Sequence, residues 1–290
     1  MHPEAFFLSA PGGASGQTSQ RLCLYHAAQG PQPRGRVVYI HPFAEEMNKS
    51  RRMAALQARA LAQAGFSVLQ IDLLGCGDSS GDFGDASWQA WVDDVLRGCA
   101  WLDHKCQGPL WLWGLRGGCL LAVAAARAMD QLPNFLFWAP APSGTLLLQQ
   151  FLRLKVAGDM LAGGAKGVMQ TLRRDLQGGA AVEVAGYMLA PALASGLDAA
   201  TLAPPTRAAA SPPQLLWFEV SNREPAEMTP AAARALQQWR DGGCAGYDAV
   251  VPGPAFWQTS EIEEAPALID ATTAALLAAS PAERQPVAPA

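Results

Sequence analysis

The sequence predicts an α/β protein, with a mostly parallel central sheet flanked by helices and a helical segment inserted late in the chain. Three observations predict it. Five short apolar runs (RVVYI at 36–40, FSVLQI at 66–71, LWLW at 110–113, FLFW at 135–138 and QLLWFEV at 214–220) lack the strict alternation of a half-wetted strand. Segments with helical spacing separate the first four of them. The runs end in glycine, proline or other turn-forming residues, which mark where each strand stops.

Taken in order, residues 6–9 and 22–28 read as short strands around a polar Gly/Ser turn at 10–20. The run 36–40 stops at His41-Pro42, because proline restricts the residue before it and has no N–H to offer a ladder. Ser50–Ala64 places Met53, Leu56, Ala60 and Leu61 on one helical face, and Gly65 closes it. The strand at 66–71 ends in the turn-rich DLLGCGDSSG of residues 72–81. Ser87–Leu102 is helical, then comes the strand 110–113, the helix 117–129 and the strand 135–138, ended by APAPSG at 139–144.

Residues 145–200 break this rhythm. TLLLQQFLRLKVAGDMLAGG (145–164), VMQTLRRDLQ (168–177) and YMLAPALASGL (187–197) are apolar and helical, without a strand of comparable strength. Gln214–Val220 restores a strand, Pro230–Trp239 a helix and Tyr247–Val251 a last strand. The expected organisation is a core of residues 1–144 and 211–279, a helical cap at 145–210 and a disordered tail at 280–290.

Composition sets the outer limits. With 290 residues, 50% of them hydrophobic, the chain can bury one large core or a core plus a cap. A net charge of −4 leaves no electrostatic footprint for nucleic acid. The six cysteines form no CxxC pair, so they are expected to be reduced and buried, and no metal site is expected. No cofactor is expected either. The N-terminus has no basic stretch followed by an apolar one, and no apolar window is long enough to span a bilayer. A cytoplasmic location without a transmembrane segment follows as the expectation.

The most informative segment is PLWLWGLRGGC at 109–119, a strand that breaks into glycines and opens a helix. The nucleophile elbow of α/β-hydrolases has this form, with the frame G-x-S-x-G. Here the frame is Gly114-Leu115-Arg116-Gly117-Gly118. A guanidinium stays protonated and has no lone pair with which to attack a carbonyl. A triad acid is expected after QLLWFEV, where Glu224 and Glu227 stand, and a triad histidine after the last strand, in VVPGPAFWQTSEI at 250–262. No histidine follows His104.

Arg116 has two readings. It can pair with Glu45 or Glu46 on the neighbouring loop, or, with the amides at the helix start, it can hold a carboxylate or phosphate. His41 ends the preceding strand, and either fixes its loop by hydrogen bonds or takes part in proton transfer. Pro42 lacks an amide, so an oxyanion donor there has to be Phe43 or Ala44. Glu45, Glu46 and Asp72 stand at C-terminal strand ends, where open α/β sheets place ligands. Cys119 is expected to be buried one turn inside the helix, while Cys76 and Ser79 in the glycine loop are expected to be exposed. The loop lacks both a Walker A lysine and a G-x-G-x-x-G spacing, which argues against nucleotide binding. Phe256, Trp257, Leu146–Leu148, Phe151, Leu152 and Met160 could line an apolar pocket.

Residues 36–275 together resemble the α/β-hydrolase superfamily. HPFAEEMNKSRRM (41–53), DLLGCGDSSGDF (72–83), LWGLRGG (112–118), FWAPAPSG (137–144), VEVAGYMLAPALASGL (182–197) and PGPAFWQTSEI (252–262) resemble, more narrowly, the exosortase A system-associated hydrolase 2 family. That resemblance implies a role beside exosortase and exopolysaccharide machinery, in the company of an acyl carrier protein. The first functional expectation is a protein that acts on, or holds, an acyl ester or thioester with an anionic end. Arg116, Glu45, Glu46 and His41 are its candidate catalytic residues, and Phe43, Ala44, Leu115, Gly117, Asp72 and Trp257 its candidate contacts. The alternative is a non-catalytic relative that binds an acyl carrier protein or a sibling hydrolase, and a homo-oligomer is compatible with either.

Overall fold

The computed structural model describes residues 2–11, 19–161, 167–206 and 212–280, and side chains in the first helix after residue 144 only as far as 158. Of the expected tail at 280–290, Ser280 is buried and bonds back to Leu276 at the end of the last helix, while residues 281–290, residues 12–18 of the expected Gly/Ser turn at 10–20 and the side chain of Met160 lie outside the described residues.

The elements, in chain order, are β1 (Glu4–Ala10), β2 (Ser19–His26), β3 (Gly35–Ile40), α1 (Glu45–Gln63), β4 (Phe66–Ile71), α2 (Trp88–Lys105), β5 (Leu110–Leu115), α3 (Gly117–Ala128) and β6 (Asn134–Trp138). They continue with α4 (Gly144–Leu161), α5 (Val168–Gln177), the short pair β7 (Val182–Val184) and β8 (Tyr187–Leu189), and α6 (Pro191–Ala199). The chain then returns to the sheet through β9 (Gln214–Ser221), α7 (Pro230–Asp241), β10 (Ala245–Pro252) and α8 (Pro266–Ala279). Eight strands form one sheet in the order β1-β2-β4-β3-β5-β6-β9-β10. β1 and β2 are antiparallel to their neighbours and the remaining pairs are parallel.

The sheet is buried on both faces because its strands are apolar on both. One face, with Val38, Ile40, Leu112 and Phe137, packs under α2 and α3. The other, with Val37, Tyr39, Trp111, Trp113 and Trp138, packs under α1 and α8, where the Trp138 indole donates to Thr272 across 2.9 Å. Ile40, Gly114, Phe137 and Trp217 fall in one register row. The C-terminal ends of β3, β5 and β6 are therefore level to within about a residue, while β9 runs on to Ser221 beside β10, and the loops that follow β3, β5 and β6 meet at one edge.

Those loops continue the ladder past the strands. Arg116 N–H donates to the Trp138 carbonyl at 3.0 Å, Ala139 N–H to Phe218 at 2.7 Å and Ala141 N–H to Arg116 at 3.2 Å. A Cβ on Gly118 would run into the Ile40 carbonyl oxygen, so the start of α3 can lie against β3 only with glycine there.

Three elements differ from the sequence expectation. α1 begins at Glu45 rather than Ser50, with Glu45 and Glu46 in its first turn, where carboxylates suit the helix dipole. α8 has no counterpart in the periodicity reading, because PALIDATTAALLAA offers too little polar contrast to mark a face. Between β6 and β9 the structure adds the β7–β8 hairpin, whose strands of three residues are too short to show alternation. Among the described residues no helix is long and apolar enough to cross a membrane.

Candidate functional site

The site forms where the level strand ends meet the first turns of α1 and α3. Arg116 adopts φ 54° and ψ −115°, a conformation rare for a residue with a side chain, and it is the residue just before α3. The elbow frame is therefore present in the backbone, with arginine at its tip.

Arg116 is only 9% exposed, and each nitrogen of its guanidinium donates inside the protein. Nε donates to Glu46 Oε1 at 3.2 Å, Nη1 to the Ala139 carbonyl at 3.4 Å and Nη2 to Gln150 Oε1 at 3.3 Å. The charge also lies 5.5 Å from the centre of the Trp257 ring. Of the two glutamates offered by the sequence, Glu46 is the partner of Arg116. Burial pushes the Glu46 carboxyl above its ordinary range, against the pull of Arg116 and, more weakly, of the Gln258 side chain. Burial also pushes up Glu219 on β9, which accepts the Trp217 indole N–H at 2.9 Å and feels Arg116 electrostatically.

Glu45 turns the other way. Its Oε2 is buried without a partner, and burial raises its carboxyl, opposed by its own backbone N–H and by Lys49. It acts on Tyr187 of β8, whose hydroxyl is pushed up first by burial and then by Glu45 and Cys76.

His41 is engaged at both ring nitrogens. Leu73 N–H donates to Nε2 at 3.3 Å, so Nδ1 carries the proton and donates to the Pro42 carbonyl at 2.8 Å. Burial lowers its pKa. The ring ties the end of β3 to the loop after β4 and has no free nitrogen for proton transfer.

Asp72 faces the glycine loop. Its Oδ2 accepts from Arg51 at 2.8 Å and from Asp78 N–H at 3.3 Å, and the Ser79 hydroxyl donates to its carbonyl at 2.6 Å. Ser79 Oγ also accepts from Leu22 N–H of β2 at 2.9 Å. Cys76 and Ser79 are thus buried, contrary to the expected exposure, because the loop is stitched to β2. Burial raises the Cys76 and Cys119 thiols, so both are held as thiols.

Phe43 lies edge-on to Phe83, Trp91 and Phe151, with ring centres 5.1–5.8 Å apart, and α4 drops Leu147 and Phe151 onto the same spot. A Cβ on Gly117 would lie 2.6 Å from Leu147 Cδ2 and 3.7 Å from the Phe43 nitrogen. Neither the Phe43 nor the Gly117 amide N–H meets an acceptor among the described residues. Ala44 is the turn residue before α1, and Leu115 is a buried end of β5. Leu147, Leu148, Phe151 and Leu152 are buried, but Leu146 points outward, 46% exposed. Glu224 and Glu227 are exposed. Among the described residues no group of three or more His, Cys, Asp or Glu is placed to hold a metal.

Sequence reasoning missed Gln150 and Glu219. The signal for Glu219 was available, since it is the one charge inside the otherwise apolar run QLLWFEV. Gln150 carried none, because its role depends on how α4 docks.

The sequence profile of the family described as serine aminopeptidase, S33, matches residues 31–177. No curated protein matches the chain. Among solved structures, Est1E from Butyrivibrio proteoclasticus with ferulic acid bound is similar, with a TM-score of 0.63, 16% identity and coverage of 90% of this chain and 95% of that one. A soluble variant of monoglyceride lipase from Saccharomyces cerevisiae, in complex with a substrate analog, has a TM-score of 0.62 at 12% identity over 99% of this chain and 97% of that one. An α/β serine hydrolase without lid from Xanthomonas campestris gives 0.55 at 15% identity, covering 97% of both chains. At such identities the likeness is one of fold: this chain has the α/β-hydrolase fold.

Proposed function

The chain belongs to the serine aminopeptidase S33 family of α/β-hydrolases, and from that premise we propose that it is a binding member that performs no acyl transfer. One observation carries the reading. The tip of the elbow is Arg116, and its guanidinium is committed to Glu46, Ala139, Gln150 and Trp257. In a triad enzyme the elbow tip is a free nucleophile with a histidine to take its proton. Here Trp257, from the loop after the last strand, lies where that histidine would be sought.

In this reading Arg116 joins α1, the β6 loop and α4, and so seats the helical cap of residues 145–210 on the core. The partner is a protein of an acyl-handling system, an acyl carrier protein or a sibling hydrolase, in the cytoplasm beside exopolysaccharide machinery. The likeness of HPFAEEMNKSRRM to the exosortase A-associated family supports that setting. Reaction of the intact chain with a fluorophosphonate probe, and with ester and thioester substrates, tests the proposal. Neither labelling nor turnover is expected, and covalent labelling at the cleft would refute it.

A second reading, an acyl ligand held by its oxygen, is favoured by the free amides of Phe43 and Gly117. Two N–H groups suffice to bind one carbonyl or carboxylate oxygen. Glu45 would then orient the ligand, which would have to displace Leu147. Calorimetric titration with a fatty-acid anion separates the two: saturable heat, lost in Gly117→Pro and kept in Leu146→Ala, belongs to the held ligand.

A further inference from the structure

A cavity of about 50 Å³ lies at the opposite end of α1 from the Arg116 cluster, between the end of β2 and the last turns of the helix. Its polar lining is His2, His26, Gln29, Arg59 and Gln63. Glu45 and Arg59 stand about 20 Å apart along the helix axis, so the cavity is no part of the site described above. We propose that it binds a phosphate-type oxyanion, either inorganic phosphate or the end group of a phosphate monoester, between Arg59 and the two imidazoles.

The charge of the lining has one sign. No Asp or Glu lines the cavity, and its charged or titratable groups are His2, His26 and Arg59. The Arg59 guanidinium has no hydrogen-bond or ion-pair partner among the described residues, and it acts on His26 as a like charge. His26 is only 5% exposed. Its Nε2 donates to Gln70 Oε1 at 3.1 Å, while its Nδ1 has no partner among the described residues and is left for the cavity. An unpaired arginine beside a buried imidazole is an arrangement that folding stability does not select. A shared anion resolves it, because arginine and protonated histidine both donate to phosphate oxygens.

The surroundings agree. The Ala62 carbonyl, which would repel an anion, is already occupied by the N–H groups of Gln29 and Gly65. A metal ion would have to share the space with the Arg59 cation and without a carboxylate. The volume is several times what one water needs, which suits a small anion and not an acyl chain. Burial lowers the His26 pKa, against the pull of Gln70, and Arg59 lowers it further. A bound anion reverses that balance, so binding takes up a proton and tightens as pH falls.

Calorimetric titration of the full chain with inorganic phosphate and with glycerol phosphate, at about pH 6, tests this. Saturable one-to-one heat is expected, weakened at least about tenfold in Arg59→Gln and unchanged in Arg52→Gln, which removes the same charge from the same helix outside the cavity. Tighter binding of the monoester assigns an organic phosphate, and equal binding assigns the free ion. Sulfate, whose charge is constant from about pH 5 to 8, isolates the histidine: the His26 ring followed by NMR should titrate at higher pH when sulfate is saturating. That readout uses the native side chain, so it does not depend on whether a His26 variant folds. No saturable heat up to about 10 mM phosphate overturns the proposal. Heat that survives Arg59→Gln, or falls equally in Arg52→Gln, means an adventitious ion only and overturns it too.

Discussion

Ala44 and Arg116 occupy the same turn on neighbouring strands. Ala44 leaves β3 with φ 49° and ψ −123°, and Arg116 leaves β5 with φ 54° and ψ −115°. Each is the last residue before a helix, and neither caps that helix with its side chain. Such dihedrals cost about 1–3 kcal/mol for a residue with a Cβ. At Ala44 a buried methyl group is all the side chain adds. At Arg116 an ion pair, two further hydrogen bonds and an aromatic face accompany the same strain. The difference teaches that the turn is imposed by its surroundings, through Gly118 against Ile40 and the ladder bonds to β6. The residue at the tip is left to serve another purpose.

Substitutions at the two turns sharpen that contrast. The largest effect is expected for Arg116→Ala, which makes the elbow chemically like Ala44 but strands the Glu46 carboxylate. Breaking one partner of a buried pair costs about 3–5 kcal/mol, read by denaturant unfolding at neutral pH. Replacing both partners, as in Arg116→Met with Glu46→Leu, should recover most of that loss, since apolar side chains can fill the space of a buried pair. Failure of the double variant to recover would mean that the bonds to Ala139 and Gln150 matter more than the charge pair. Ala44→Gly should stabilise by up to about 1 kcal/mol, because it releases the strain and removes only a methyl. A loss at Ala44 would break the comparison and give that methyl a packing role.

The smallest effect concerns pH. In the folded chain Glu45 holds its proton more tightly than the ordinary carboxylate value of 4.5 allows, because burial penalises its charged form. Its contribution to stability is therefore greatest below that value and declines as pH rises through and above it. Glu46 has the same sign. Glu45→Gln should flatten the fall in melting temperature as pH rises above about 4.5, leaving the slope that belongs to Glu46. An unchanged slope would show that Glu45 is solvated.

The sheet was legible because five strands are apolar on both faces and end at glycine, proline or other turn-forming residues. The elbow was legible for the same reason, since its glycines are demanded by backbone contacts a few residues away. What stayed hidden depends on distant contacts. Cys76 and Ser79 look exposed in a Gly-rich loop, and are buried only because Ser79 and Ser80 bond to β2. Choosing between Glu45 and Glu46 required the phase of α1, which a start at Ser50 leaves undefined. α8 was invisible because alanine suits a helix without marking which side faces the core.

The loops after β5 and β6 are bonded like strands. Arg116, Ala139 and Ala141 give their amide protons to Trp138, Phe218 and Arg116. In terms of hydrogen exchange, these three amides can be released only by opening that parts β5, β6 and β9, whereas ordinary loop amides are released by local fluctuations. The rim of this site is therefore expected to exchange its amide protons on the timescale of the sheet rather than of the loops, which native-state hydrogen exchange reads directly.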